Sequence, residues 1–194
     1  MPYQSYRRYA EAPILALIAL NVIVYIATLA DPNFIYDLGL QPSTWMERPW
    51  TLITNLFVHG GLWHIAANML TLYFFGRYLC MTIGDARFLT LYFLGGLAGN
   101  FFYIVLSSSN AWVIGASGAI FAIAGALTLM APKLKVFIFP IPAPLPLWVA
   151  VIGGFVILSF FPNVAWQGHL GGLALGLAAG YFFKSRKRNI IFFR

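Results

Sequence analysis

Two side chains in this 194-residue sequence have the types and settings for acyl-transfer chemistry. Ser117 sits in Gly115-Ala116-Ser117-Gly118, after the polar run Ser107 to Asn110 and at the start of a long apolar segment, and His169 opens another such segment. A serine hydroxyl needs a neighbouring base because its own pKa is far too high, and imidazole suits proton transfer near neutrality. An orienting carboxylate often completes such a site. The acidic residues here are Glu11, Asp31, Asp37, Glu47 and Asp85, none in an apolar segment near either group, so the expected unit is a Ser117–His169 dyad. Charge developing on a carbonyl oxygen needs donors. The Ser117 backbone N–H is free at a helix start, and His64 and Asn68, four residues apart, share one helix face about 5–6 Å apart at Cβ.

Taken singly, each of these residues has an ordinary role. A buried Ser in a span usually bonds the carbonyl one turn back, and a lone membrane His can be structural, although an intramembrane ionisable group is a functional candidate by default. The combination carries the expectation. His59, just before the second apolar segment, is the weakest of the three histidines, and a structural role at a loop-to-helix junction is expected for it.

The elements that must position these groups belong in a bilayer. The chain is 61% hydrophobic, 18% aromatic and only 9% charged, against roughly 25% charged residues in a usual globular domain. Six segments are apolar enough to span: about 13–30, 62–80, 88–106, 115–131, 146–161 and 168–183, each near the roughly 20 residues a bilayer core requires. The expected fold is therefore an all-α integral membrane bundle forming a single domain over residues 1–194. Arg7 and Arg8 before an apolar run suggest a secretory signal, but that run is longer than a typical signal core and others follow, so it reads as a retained span.

With a cytoplasmic N-terminus, Arg7, Arg8, Arg77, Arg87, Lys133, Lys135, Lys184, Arg186, Lys187, Arg188 and Arg194 fall inside, and of the 12 Lys and Arg residues only Arg48 falls outside. That asymmetry satisfies the positive-inside rule, and six spans return the C-terminus to the cytoplasm. The net charge of +7 thus points to lipid headgroups rather than nucleic acid. The expected location is the plasma (inner) membrane, with the site opening to the extracytoplasmic side. The lone Cys80 excludes an internal disulfide. The long connection 31–61, with Phe34, Tyr36, Trp45 and Trp50, is expected to fold into the outer interface, and Pro132, Pro140, Pro142, Pro144 and Pro146 favour extended structure in an inner connection.

Depth and facing are also legible. Ser117 precedes Lys133 by 16 residues and His169 precedes Lys184 by 15, so each lies about 23 Å above a cytoplasmic anchor at about 1.5 Å per residue. Against a core of about 30 Å, both are recessed below the outer edge. His169, Gly172 and Gly176 share a helix face, and small residues let backbones approach in lipid. Gly95 with Gly99, and Gly118 with Ala122 and Ala126, offer matching faces. Phe121, one turn below Ser117, is expected beside the imidazole of His169.

The motifs Gly115-Ala116-Ser117-Gly118, His64-x-x-x-Asn68 and His169 followed by Gly172-x-x-x-Gly176 resemble those of the rhomboid family of intramembrane serine proteases, in order and over all six spans. The resemblance implies Ser117 as nucleophile, His169 as general base and an oxyanion hole including His64 and Asn68, with Phe121, Gly115, Gly118, Gly172 and Gly176 in support. It implies cleavage of membrane-spanning substrates, with single-span proteins expected, in or near the bilayer, and no metal or organic cofactor. It also implies a fifth helix acting as a gate, followed by a capping loop. Two departures stand out. The family often carries Trp-Arg in the first loop, where Thr51 follows Trp50 and Arg48 precedes it, so loop anchoring is expected to differ. Phe121 stands where Tyr is common. The chain length matches the minimal six-helix form found among prokaryotes.

Rival chemistries fail on inventory. A zinc peptidase wants His-Glu-x-x-His, and no Glu follows any histidine. An aspartyl type wants two intramembrane carboxylates. A transporter or binding-only relative is the serious alternative, yet the paired repeats with broken helices typical of transporters are missing. Gly153-Gly154 in the short fifth span suits either a flexible gate or simple close packing.

Overall fold

The computed structural model describes residues 11–107, 110–138 and 141–191. Arg7, Arg8, Pro140, Arg194 and part of the polar run before Ser117 lie outside the described residues, as do the side chains of Arg186, Lys187 and Arg188.

A helix lies in each of the six apolar stretches. Helix α1, Ala12–Ala30, has proline in its first turn, where the missing N–H costs no hydrogen bond, and ends ahead of Pro32. The long connection is not structureless. It carries the short helix α2 (Asn33–Leu38), whose first N–H is accepted by Asp31 Oδ1 at 2.9 Å. It then forms α3 (Thr51–Thr54) and a 3-10 turn at Asn55–Phe57. Arg48 ties this connection together. Its guanidinium donates to the Tyr36 carbonyl at 2.8 Å, pairs with Asp37 at 3.1 Å and lies near the Trp50 and Trp112 rings.

The second stretch is longer than expected. It runs as α4 (Leu62–Thr71), a π-helical segment Leu72–Gly76 and α5 (Arg77–Ile83), turning at Gly84 with φ +87° into α6 (Asp85–Leu106). Arg77 pairs with Glu11, holding the start of α1 against the foot of this hairpin. The helix of the fourth apolar stretch, α7 (Ser117–Met130), starts two residues later than expected, because Gly115 takes φ +115°, outside helical space. After Met130 the proline-containing connection forms a minimal ribbon rather than a helix. Strands β1 (Lys135–Val136) and β2 (Leu145–Pro146) pair antiparallel, with Lys135 opposite Pro146, so among the described residues the regular structure is helical apart from these two short strands and one isolated bridge between Leu40 and Val113. Helix α8 (Leu147–Ser159) and the long α9 (Trp166–Ile191) complete the bundle.

By length and composition, α1 and α6 among the described helices can each cross a membrane, with mean hydropathy 2.3 and 1.7; α7 and α8 are shorter apolar helices. The outward side of α1 carries Leu15, Ile23, Ile26 and Leu29, all at least half exposed. A surface so apolar is suited to lipid rather than water.

The packing centre is the trio α6, α7 and α9. A Cβ added at Gly172 would overlap the Gly118 carbonyl, one at Gly176 the Ala122 carbonyl, and one at Gly95 the Ala122 side chain. In lipid there is little hydrophobic drive between helices, so this backbone-to-backbone approach, with its dispersion contacts, is what holds them together. Gly153 and Gly154 are different: a Cβ at either would meet nothing within 4 Å. The close-packing explanation for that pair therefore fails, and both glycines stand open on α8.

Candidate active site

The close approach of α7 and α9 decides which side chains meet. Ser117 is the first residue of α7, so its backbone N–H has no acceptor within the helix. His169 lies in the first turn of α9, on the face that carries Gly172 and Gly176, and is 8% exposed. Its Nε2 is 2.9 Å from Ser117 Oγ. The other ring nitrogen, Nδ1, is buried with no hydrogen-bond partner among the described residues. The imidazole is instead held by stacking: the Phe121 ring lies 4.6 Å away at 27°, and Phe155 of α8 meets Phe121 edge-on at 6.1 Å.

His64 approaches the cavity from α4, beside Gly115. Its Nε2 and Cε1 lie 2.7 and 2.8 Å from where a Cβ on Gly115 would sit, so a side chain there would displace the His64 ring. The φ of +115° at Gly115 also favours glycine. Asn68, one turn along α4, donates Nδ2 to the His64 carbonyl at 2.9 Å, which uses one of its two amide hydrogens and leaves the other. His64, Asn68, Ser117 and His169 line one cavity of about 1090 Å³, which extends along α8 past Gly154 toward Phe137.

His59 stands apart from this cavity wall. It is 1% exposed, its Nδ1 lies 3.4 Å from the Phe57 carbonyl, and its ring meets His64 edge-on at 4.9 Å. Burial, with the neighbouring His64 adding to it, lowers its pKa from 6.5 to about 4.

Two residues near the site carry no motif. Asn55 and Asn100 form a buried amide pair behind Gly115, with Nδ2 to Oδ1 distances of 2.8 and 3.0 Å. The signal for Asn100 is its position, a polar side chain inside an otherwise apolar span. Asn55, in a loop, offers none.

The arrangement holds a hydroxyl against an imidazole, with the His64 and Asn68 side chains lining the same cavity and room for an extended peptide beside them. Comparison with known proteins gives the family. A family model described as the Rhomboid domain matches residues 46–186. The chain is 26% identical over 97% of its length to "Rhomboid protein 1, mitochondrial" of Saccharomyces cerevisiae, covering 60% of that protein. It is 32% identical to "RHOMBOID-like protein 1" of Arabidopsis thaliana, over 71% of the chain and 35% of that protein. It is 34% identical to "Rhomboid protease GluP" of Bacillus subtilis, over 67% of the chain and 25% of that protein. The chain thus spans between a quarter and three fifths of the length of these relatives. With a family match over most of its length and the Ser117 and His169 side chains in hydrogen-bond contact, this chain belongs to the rhomboid family of membrane-embedded helical proteins.

Proposed function

We propose that the chain is an intramembrane serine endopeptidase that hydrolyses peptide bonds in or near the spans of single-span membrane proteins. The observation that carries this reading is the 2.9 Å contact between Ser117 Oγ and His169 Nε2 inside a cavity. Residues 1–194 act as one domain of six crossing helices, with both termini cytoplasmic, in the plasma (inner) membrane. The site opens to the extracytoplasmic side, and no metal or cofactor takes part.

His169 Nε2 takes the Ser117 proton as Oγ attacks the substrate carbonyl. The resulting oxyanion is held by the Ser117 N–H, the His64 imidazole and the second amide hydrogen of Asn68. His169 then returns the proton to the leaving amine, and water in the cavity resolves the acyl-enzyme by the same base. Phe121 supplies by stacking the ring orientation that a carboxylate supplies in a triad.

The test is cleavage of a single-span reporter by purified protein in lipid vesicles, together with labelling by a fluorophosphonate. Ser117→Ala and His169→Ala are expected to abolish cleavage, and Ser117→Ala to abolish labelling. Asn68→Ala is expected to lower turnover by about 10²–10³, the usual cost of one oxyanion donor. Undiminished cleavage by Ser117→Ala would sink the proposal, and a protein that neither cleaves nor labels would favour the binding-only reading.

A further inference from the structure

The oxyanion side of the site is built on a segment that is not helical, so something else must fix it. Residues 113–115 lead into α7 outside any helix and are held at two points by the first connection. Val113 exchanges backbone hydrogen bonds with Leu40, at 2.7 and 3.0 Å, and the Gly115 N–H donates to the Asn55 carbonyl at 2.8 Å. The first anchor involves no side chain. The second depends on where the 3-10 turn Asn55–Phe57 sits, and that turn is clamped by Asn100.

The clamp is fully committed. Asn100 Nδ2 donates to the Leu52 carbonyl at 2.8 Å and to Asn55 Oδ1 at 3.0 Å, while Asn100 Oδ1 accepts from Asn55 Nδ2 at 2.8 Å. Asn55 is 1% and Asn100 3% exposed. Asn100 reaches the cavity wall, but both its amide hydrogens are used within the protein, so it has no donor left for a ligand. Buried amides at low dielectric hold their geometry closely, since an unmade bond there is costly. The chain of contacts runs Asn100, Asn55, Gly115, and from Gly115 both to the His64 ring, which occupies the place a Cβ there would take, and through Ala116 to the Ser117 N–H.

Building on the peptidase reading, we infer that Asn100 is a positioning residue: through Asn55 it fixes Gly115, and so sets the distance between the Ser117 amide and His64 across which the oxyanion is held. It acts on the transition state and not on substrate binding.

The test uses the full chain in vesicles and measures kcat and KM on a single-span reporter together with hydrogen exchange at the Gly115 amide. Asn100→Leu, near in shape but unable to hydrogen bond, is expected to lower kcat by about tenfold to a hundredfold, with KM changed by less than about twofold. The Gly115 amide is expected to exchange faster. Asn55→Leu is expected to match it, and the double variant to be no worse than either single one, because the pair acts as a unit. Asn21→Leu is the control for loss of a buried amide as such. Asn21 is fully buried in α1, donates to the Leu17 carbonyl at 2.7 Å and does not line the cavity; its variant is expected to keep both kcat and Gly115 exchange. Should Asn100→Leu fail to fold, Asn100→Asp, which keeps the shape and an acceptor, is read in the same way. Wild-type kcat or unchanged Gly115 exchange in the folded Asn100 variant would overturn this inference alone, provided Ser117→Ala abolishes cleavage. Cleavage that survives Ser117→Ala would overturn the peptidase reading, and this inference with it.

Discussion

Gly172 of α9 lies so close to the Gly118 carbonyl of α7 that no Cβ fits between them, one turn from the contact between His169 and Ser117. The separation of the two helices at this point therefore sets the distance between the Ser117 and His169 side chains. Gly172→Ala would force the backbones apart, at a cost of about 1–3 kcal/mol for overpacking a close contact. A shift of about 1 Å between reacting groups costs about a hundredfold in rate. The expected outcome is a lower unfolding temperature with a larger proportional loss of kcat; wild-type turnover in Gly172→Ala would show that this approach does not control the dyad.

Phe121 is the sole aromatic ring described in contact with the His169 imidazole, whose Nδ1 has no partner to orient it among the described residues. An aromatic pair is worth about 0.5–1.5 kcal/mol beyond its buried area. Phe121→Leu should then lower kcat about tenfold, and Phe121→Tyr, which keeps the stack, should not. The comparison of the two variants in single-turnover cleavage decides whether the ring face matters or only its bulk.

How far these relationships can be read from sequence depends on how local their causes are. The expectation that Ser117 and His169 meet at one level comes from counting residues to Lys133 and Lys184 at a helical rise, and the two side chains are in contact. The shared face of His169, Gly172 and Gly176 follows from helical periodicity in the same way. The Asn55–Asn100 pair joins residues 45 apart, one of them in a loop, and no periodicity reaches across that distance. The same holds for Arg48. The order Arg-Pro-Trp-Thr in place of Trp-Arg suggested altered anchoring, but the actual partners, Asp37 and the Tyr36 carbonyl, depend on how the loop folds back through α2. The π-helical segment at Leu72–Gly76 has no composition signal at all.

Gly153 and Gly154 illustrate a choice that sequence left open and packing resolves. With open space around both positions, Gly153→Ala and Gly154→Ala should fold normally, and an interior helical Ala is favoured over Gly by about 0.8–1.0 kcal/mol. If the pair lets α8 bend to admit a substrate helix, the double Ala variant should cleave the single-span reporter several-fold more slowly. Fluorophosphonate labelling of Ser117, by a small reagent that needs no bending, should be unchanged. Equal loss in both assays would place the effect in the site rather than in access to it.

His59 gives the structure an acid-sensitive point outside the spans. Its pKa is about 4 in the folded protein, against about 6.5 for an unperturbed imidazole. Between these values the unfolded chain binds a proton there and the folded chain does not, so stability is full above about pH 6.5 and is lost progressively as pH falls toward 4. The loss amounts to at most about 1.4 kcal/mol per pH unit from this one group. His59→Gln removes the titration while keeping a polar side chain beside the Phe57 carbonyl. The expected outcome is that the drop in unfolding temperature between pH 7.5 and pH 5 is smaller in His59→Gln than in the wild type. An identical drop in the two proteins would mean that His59 protonation does not contribute to acid unfolding and that other buried groups set the limb.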